Sequence, residues 1–275
     1  MDLKRPGSWL RQILNVSGVI IVILGLVAVA TYNASSQKRE LPNFNLPKSL
    51  LFQYRDDEGN AVLSAVVTEQ GKKWWVIPRA TVLNAELPEE TMQASAKTLT
   101  VVGARNALAD SVQLNIDDVW QLDRLGLAAL IENIGGIDVT PKRDMILGKL
   151  TSDDFMSLRA GNRVHLDGIY GAWYAITADK ESDQLAQFED VWHQLMNRTD
   201  AATLGTVLSS VGSVSRASLA HDELVIVFEK WQQVADVDGM TWPIIDVAKS
   251  DGLSVISPAG VAQLVQSGVR ERLAS

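Results

Sequence analysis

The 275-residue sequence has no cysteine, which removes thiol nucleophiles, disulfides and Cys-ligated zinc or iron–sulfur centres from consideration. Histidine is almost as scarce. His165, His193 and His221 are the only three, and they are scattered without HxxxH spacing, so a histidine-built metal site is not expected. Positive charge is also short: 25 Lys and Arg stand against 33 Asp and Glu, a net charge of -8 spread without blocks. Such a chain repels a polyphosphate backbone, and nucleic acid is excluded as a partner. With 47% apolar and 21% charged residues the composition is that of a globular chain with a working core, enough for one large or two small domains. No internal repeat is visible.

What is present begins with residues 13–32, ILNVSGVIIVILGLVAVATY, a run with no charged residue. At 1.5 Å per residue about 20 helical residues span a hydrocarbon core of roughly 30 Å, so a transmembrane anchor is expected. Lys4, Arg5 and Arg11 precede the run, while Lys38 and Arg39 follow it. The bias places residues 1–12 in the cytoplasm and the rest outside, as a single-pass cell-membrane protein. Ala28-Val29-Ala30 also fits the cleavage site of a signal peptide. Either reading exports the remainder. Residues 33–47, polar with two prolines, read as a linker, and 48–275 as one extracytoplasmic domain.

Within that domain 49–56, 61–69 and 72–78 read as three strands joined by tight turns. Residues 89–110 are helical and Ala-rich. Residues 117–136 read as a helix capped by Asp117 or Asp118 and stopped by Gly135-Gly136, followed by a short strand at 137–140. A loop is expected over 150–168, helices over 183–197, 201–211 and 228–236, and a final strand and helix opening at Ser257-Pro258. The fold class expected is α/β (α+β), a mixed central sheet flanked by helices. Trp74, Trp75, Trp120, Trp173, Trp192 and Trp231 all lie in apolar-patterned stretches, and most of them are expected in the core. Trp74 and Trp75, adjacent on a strand, must face opposite ways, so that one of them could line a cleft.

Three stretches resemble the LytR-CpsA-Psr domain of bacterial cell envelopes. WVIPRAT (75–81) is similar to the family's strand-ending Ile-Pro-Arg-Asp-Thr, LDRLGLAALIENIGGIDV (122–139) to its hydrophobic helix running into Gly-Gly-Val-Asp-Val, and HLDGIYGAWYA (165–175) to its Leu-x-Gly-x-x-Ala-x-x-Tyr turn and helix. The resemblance implies a mixed sheet flanked by helices and a role in Gram-positive, actinobacterial-type envelopes. It further implies transfer of a wall glycopolymer from a polyprenyl pyrophosphate carrier to peptidoglycan. That chemistry needs cations around the phosphates, a Mg²⁺ held by carboxylates and an apolar cleft for the lipid tail.

The sequence departs from the family pattern where charge is needed. The first motif, Arg-Ser-Asp-Thr, corresponds to AVLS at 61–64; the Asp after Arg79 has become Ala80. In 174–192 there is no arginine, and Ile176, Ala178, Gln187 and Asp190 sit where arginines are expected. The resemblance leaves Arg79 and Asp183 as catalytic candidates, with Asp183 also the Mg²⁺ ligand or else simply a helix N-cap. Arg79, Arg55, Arg105, Lys180 and Trp75 are the substrate-binding candidates, although a lysine cannot reproduce an arginine fork. Asp138 is expected to be an exposed structural residue. The expected function is a catalytically weak or inactive member that binds a polyprenyl-linked glycan, a cell-wall polymer or an active LytR-CpsA-Psr transferase. The alternatives are a working phosphotransferase and an unrelated exported scaffold.

Overall fold

The computed structural model describes residues 45–69, 71–148, 155–211 and 214–272. In chain order, with helices numbered from the first described one, the elements begin β1 (Ser49–Arg55), β2 (Ala61–Thr68), β3 (Trp74–Val76), α1 (Met92–Thr98), α2 (Val101–Val112), β4 (Leu114–Asn115), β5 (Asp118–Asp123) and α3 (Arg124–Asn133). They continue through β6 (Ile137–Val139), β7 (Met145–Gly148), β8 (Phe155–Leu158), β9 (Val164–Leu166), α4 (Gly168–Tyr174), α5 (Glu181–Arg198) and α6 (Ala201–Val211). The last are β10 (Ser215–Ala217), α7 (His221–Asp238), β11 (Val247–Ser250), β12 (Leu253–Ile256), α8 (Pro258–Gln266) and β13 (Arg270–Glu271). The expected anchor at 13–32, with its cytoplasmic and cleavage-site readings, lies outside the described residues. Among those described no helix is long and apolar enough to cross a membrane.

The central sheet has the order β10-β5-β1-β2-β3 and is mixed, as the sequence implied. β1 and β2 form the antiparallel hairpin over the DEGN turn, and β1 pairs parallel with β5, Phe52 opposite Trp120 and Arg55 opposite Asp123. The alternation of side chains along each strand sorts two cores. Leu50, Phe52, Tyr54, Ala65, Trp74 and Trp120 face α3 to α7, while Leu51, Val66, Trp75 and Val119 face α1, α2 and α8.

One expectation fails at 117–136. Residues 118–123 form the strand beside β1, and the helix begins only at Arg124. Val119, Trp120, Gln121 and Leu122 are all buried, because a strand covered by helices on both faces reads as an unbroken apolar run that mimics a buried helix. Asp123, not Asp117 or Asp118, is the cap, accepting from the Gly126 amide at 3.0 Å. The Asp117 carboxylate instead accepts the Lys48 and Ser49 amides at 2.7 and 3.1 Å. The expected loop over 150–168 also contains β8 and β9, each paired in a two-stranded ladder with β7 or β6. The Ala-rich stretch divides into α1 and α2 at Leu99-Thr100, and the last long helix runs from 221 rather than 228.

Gly135-Gly136 stops α3 as expected: both have positive φ, and the Gly136 amide returns to the Ile131 carbonyl at 3.0 Å. A Cβ on Gly136 would stand 2.5 Å from the Leu166 carbonyl oxygen of β9, so the second glycine is a packing requirement. Gly168 meets the same constraint, its virtual Cβ lying 2.2 Å from the Ala128 carbonyl of α3.

The rings of the larger core are closely joined. Phe52 lies 5.1–5.9 Å from Trp74, Trp120, Phe188 and Trp192, centroid to centroid. Trp192→Ala should therefore cost about 3–5 kcal/mol, whereas Leu87→Ala on an exposed loop should stay within about 0.5 kcal/mol. Denaturant midpoints at constant m-value check the contrast.

Candidate functional site

β3 runs parallel in direction to β1, and its exit leads through Ile77, whose amide donates to the Ser64 carbonyl at 2.9 Å, into a turn closed by Thr81 N–H to the Pro78 carbonyl at 3.0 Å. Arg79 sits in that turn. Its amide donates to Glu181 Oε1 at 2.9 Å and its Nε lies 3.7 Å from the same oxygen. Glu181 opens α5, whose N-cap is Lys180 with no side-chain cap bond. Asp183 is consequently not the N-cap, correcting that reading; it is an exposed carboxylate in the first helical turn, where the helix dipole favours it. Ala80 is exposed beside Arg79.

The structure gathers Arg79, Lys180 and Asp183 around the start of α5, with Glu181 as the member that sequence reasoning missed. It does not bring the other candidates into one clamp. Arg55 is buried and its Nε donates to the Gly59 carbonyl at 3.2 Å. Burial pushes its pKa down from the ordinary arginine value, Arg216 adds to the shift, and Asp123 and Asp56 oppose it. Arg105 lies at the opposite end of the sheet, because its guanidinium donates to the carbonyl of Asp117, just ahead of β5, at 2.7 Å. Trp75 is 8% exposed and belongs to the core under α1, α2 and α8, so it lines no open cleft.

Two charged residues that went unremarked matter at the end where β1 and β5 leave the sheet. Arg124 clasps Asp57 through two hydrogen bonds of 2.7 and 3.1 Å and lies 4.5 Å above the Trp173 ring. Asp123 is pushed upward in pKa mainly by burial, against its α3 cap bonds and the two arginines Arg55 and Arg216. Both were concealed inside the stretch read as one helix. Asp138 behaves as expected, an accessible strand residue bonded to Arg163 and His165, which hold its carboxyl below the usual range.

Among the described residues no three His, Asp or Glu side chains group as a metal cage. With Glu181 turned to Arg79, Asp183 alone is a thin donor set for Mg²⁺. The space between the sheet and α5 is occupied by rings: Phe188 stacks on Trp192 at 5.6 Å and meets Tyr54 at 5.2 Å. A void of about 10 Å³ between Leu46, Val67 and Trp231 has room for about one water.

Residues 77–183 match the LytR_cpsA_psr family model. That stretch is similar to LytR-CpsA-Psr domains. The fold carries the likeness further along the chain. B. subtilis TagV shares 16% identity at a TM-score of 0.60, covering 82% of this chain and 96% of that one. A LytR-Csp2A-Psr enzyme from Actinomyces oris shares 14% at 0.61, covering 82% and 90%. Protein gbs0355 from Streptococcus agalactiae shares 15% at 0.62, covering 81% and 86%. No curated protein matches the chain in sequence.

Tyr174, in the matched stretch, is buried, and burial together with the Asp190 charge pushes its pKa from 10.0 to about 12. A raised pKa means that the stability gained by keeping the phenol neutral is fully present below pH 10 and lost as the pH rises through about 12. Alkaline difference spectroscopy should show this tyrosine ionising late, and Asp190→Asn should move its midpoint down. An unmoved midpoint would mean that the Asp190 charge does not reach it.

Proposed function

We propose that this is a non-catalytic LytR-CpsA-Psr-type domain of the cell envelope, held to the membrane by residues 13–32 with its C-terminal domain outside. It serves wall glycopolymer assembly or attachment by binding a glycan or an active transferase of the same family, without carrying out phosphotransfer. The observation that supports the reading is the dispersal of the cations: Arg79 faces Glu181, Arg55 is tied to Gly59 and Arg105 to Asp117. A pyrophosphate gains roughly 1.5–3 kcal/mol from each charged hydrogen bond, and Arg79, Arg55 and Arg105 are turned to three separate partners rather than to one phosphate position. The ring packing between the sheet and α5 supports the same reading, since a polyprenyl tail needs an apolar channel.

In this reading Arg79 and Lys180 shape the rim at the start of α5, and Asp183 stands exposed in the helix's first turn. Mg²⁺ supplies charge neutralisation to phosphoryl transfer where it is bound, and no residue here is assigned to it. The test is binding of a short-chain polyprenyl pyrophosphate analogue to the full chain, with and without Mg²⁺, for wild type and Arg79→Ala. No saturable binding in any arm is expected. Tight Mg²⁺-dependent binding, weakened about tenfold (~1.4 kcal/mol) by Arg79→Ala, would restore the phosphotransferase.

A further inference from the structure

On the sheet face opposite α5, an open groove of about 510 Å³ runs between α2 and the loop that follows β3. Its volume falls in the range of small-molecule sites, roughly 300–1,000 Å³. One wall is a single face of α2, where Gly103, Asn106, Ala107 and Asp110 recur at helical spacing. The other wall is Leu83, Asn84, Ala85 and Glu90, and Leu99 at the α1–α2 elbow completes the lining.

The polar groups are oriented. Arg105 donates Nε and a terminal nitrogen to Asn106 Oδ1 at 3.2 and 2.9 Å, pinning the carbonyl end of that amide. The Glu86 amide does the same to Asn84 Oδ1 at 3.0 Å. Neither NH2 group has a hydrogen-bond partner among the described residues, so two fixed donors border the groove. Glu90 and Asp110 supply acceptors, Asp110 keeping Oδ2 while Oδ1 takes Arg272. Among the described residues no lysine or arginine lines it, which disfavours phosphates and other anions. Small apolar side chains, Ala85, Ala107 and Leu99, separate the polar groups.

We propose that this groove binds a neutral N-acetylhexosamine unit of a glycan. An acetamido group presents a carbonyl for an asparagine NH2, an N–H for a carboxylate and a methyl for the alanine and leucine surface, while ring hydroxyls use the remaining partners. Arg105, expected from sequence to touch substrate, acts here as a positioning residue through Asn106. The site lies apart from Arg79 and Glu181, so it stands or falls separately from the absence of phosphotransfer.

Titration of the full chain with chitotetraose, with maltotetraose as the counterpart lacking acetamido groups, tests it. Chitotetraose should bind with a Kd of about 1 mM or tighter and maltotetraose about tenfold more weakly. Asn106→Ala should weaken chitotetraose about fivefold or more, and Arg105→Lys should weaken it in the same direction by freeing the Asn106 amide. Ala85→Trp, on an exposed position, should abolish binding by filling the groove, and Arg79→Ala should bind as wild type. An unchanged denaturation midpoint in Asn106→Ala and Ala85→Trp shows that the fold is intact. No saturation by chitotetraose, equal binding of both sugars, or binding that survives Ala85→Trp would overturn the proposal.

Discussion

The contact of Phe52 with the rings around it is the constraint on which the remaining geometry depends. Phe52 stands on the central strand, and Trp74, Trp120, Phe188 and Trp192 approach it from β3, β5 and α5. A one-residue slip of β1 would exchange Phe52 and Tyr54 for Leu51 and Gln53 and send an amide into the rings, so the sheet register is fixed by this cluster. Phe188 and Trp192 are four residues apart on α5 and face the sheet together. Their seating also settles where the first turn of α5 arrives, and thus which carboxylate meets Arg79.

The opposite face of the same strands is chemically different. Gln121 Nε2 donates to Gln53 Oε1 at 2.8 Å, and Gln53 Nε2 donates to Ser95 and Ser64 at 3.1 and 3.3 Å. All four residues are buried, and Gln121 Oε1 has no partner in this network, an omission that costs about 1–3 kcal/mol if nothing satisfies it. At the end of this polar lane Arg55, Asp123 and Arg216 balance one another's charge. Arg79, Arg55 and Arg105, offered by the sequence as binding cations, are each engaged by the fold itself.

How much of this could be read from sequence follows from physical scale. The β1–β2 hairpin, the strand at 74–76, the Gly-Gly stop and the Ser257 cap were legible because turn chemistry and side-chain alternation are local. The burial of Trp74, Trp120, Trp192 and Trp231 was legible from apolar patterning. The strand at 118–123 was not, because its pairing partner is some seventy residues earlier and burial on both faces erases the alternation that would announce it. The same loss of locality hid the site. Nothing near Arg79 in sequence announces Glu181, a hydrogen bond 102 residues away. Asp183 looked like a cap because the helix start was placed two residues late.

The residues that follow the LytR-CpsA-Psr pattern are those for which the structure gives a packing reason. Gly136 and Gly168 admit close backbone approach, Leu166 is fully buried, and Tyr174 is enclosed with its phenol neutral. The positions where the pattern calls for charge are of another kind. Ala80 is exposed, Ile176 and Ala178 are half-buried, and Gln187 spans α4 and α5 when its NH2 is turned to the Tyr174 and Thr177 carbonyls, 3.2 Å from each. A carboxylate at Ala80 would meet solvent rather than core, so the architecture does not forbid the charge missing there. Frame and charge set are therefore separable in this fold, and sharing the frame with TagV carries the architecture without carrying a reaction.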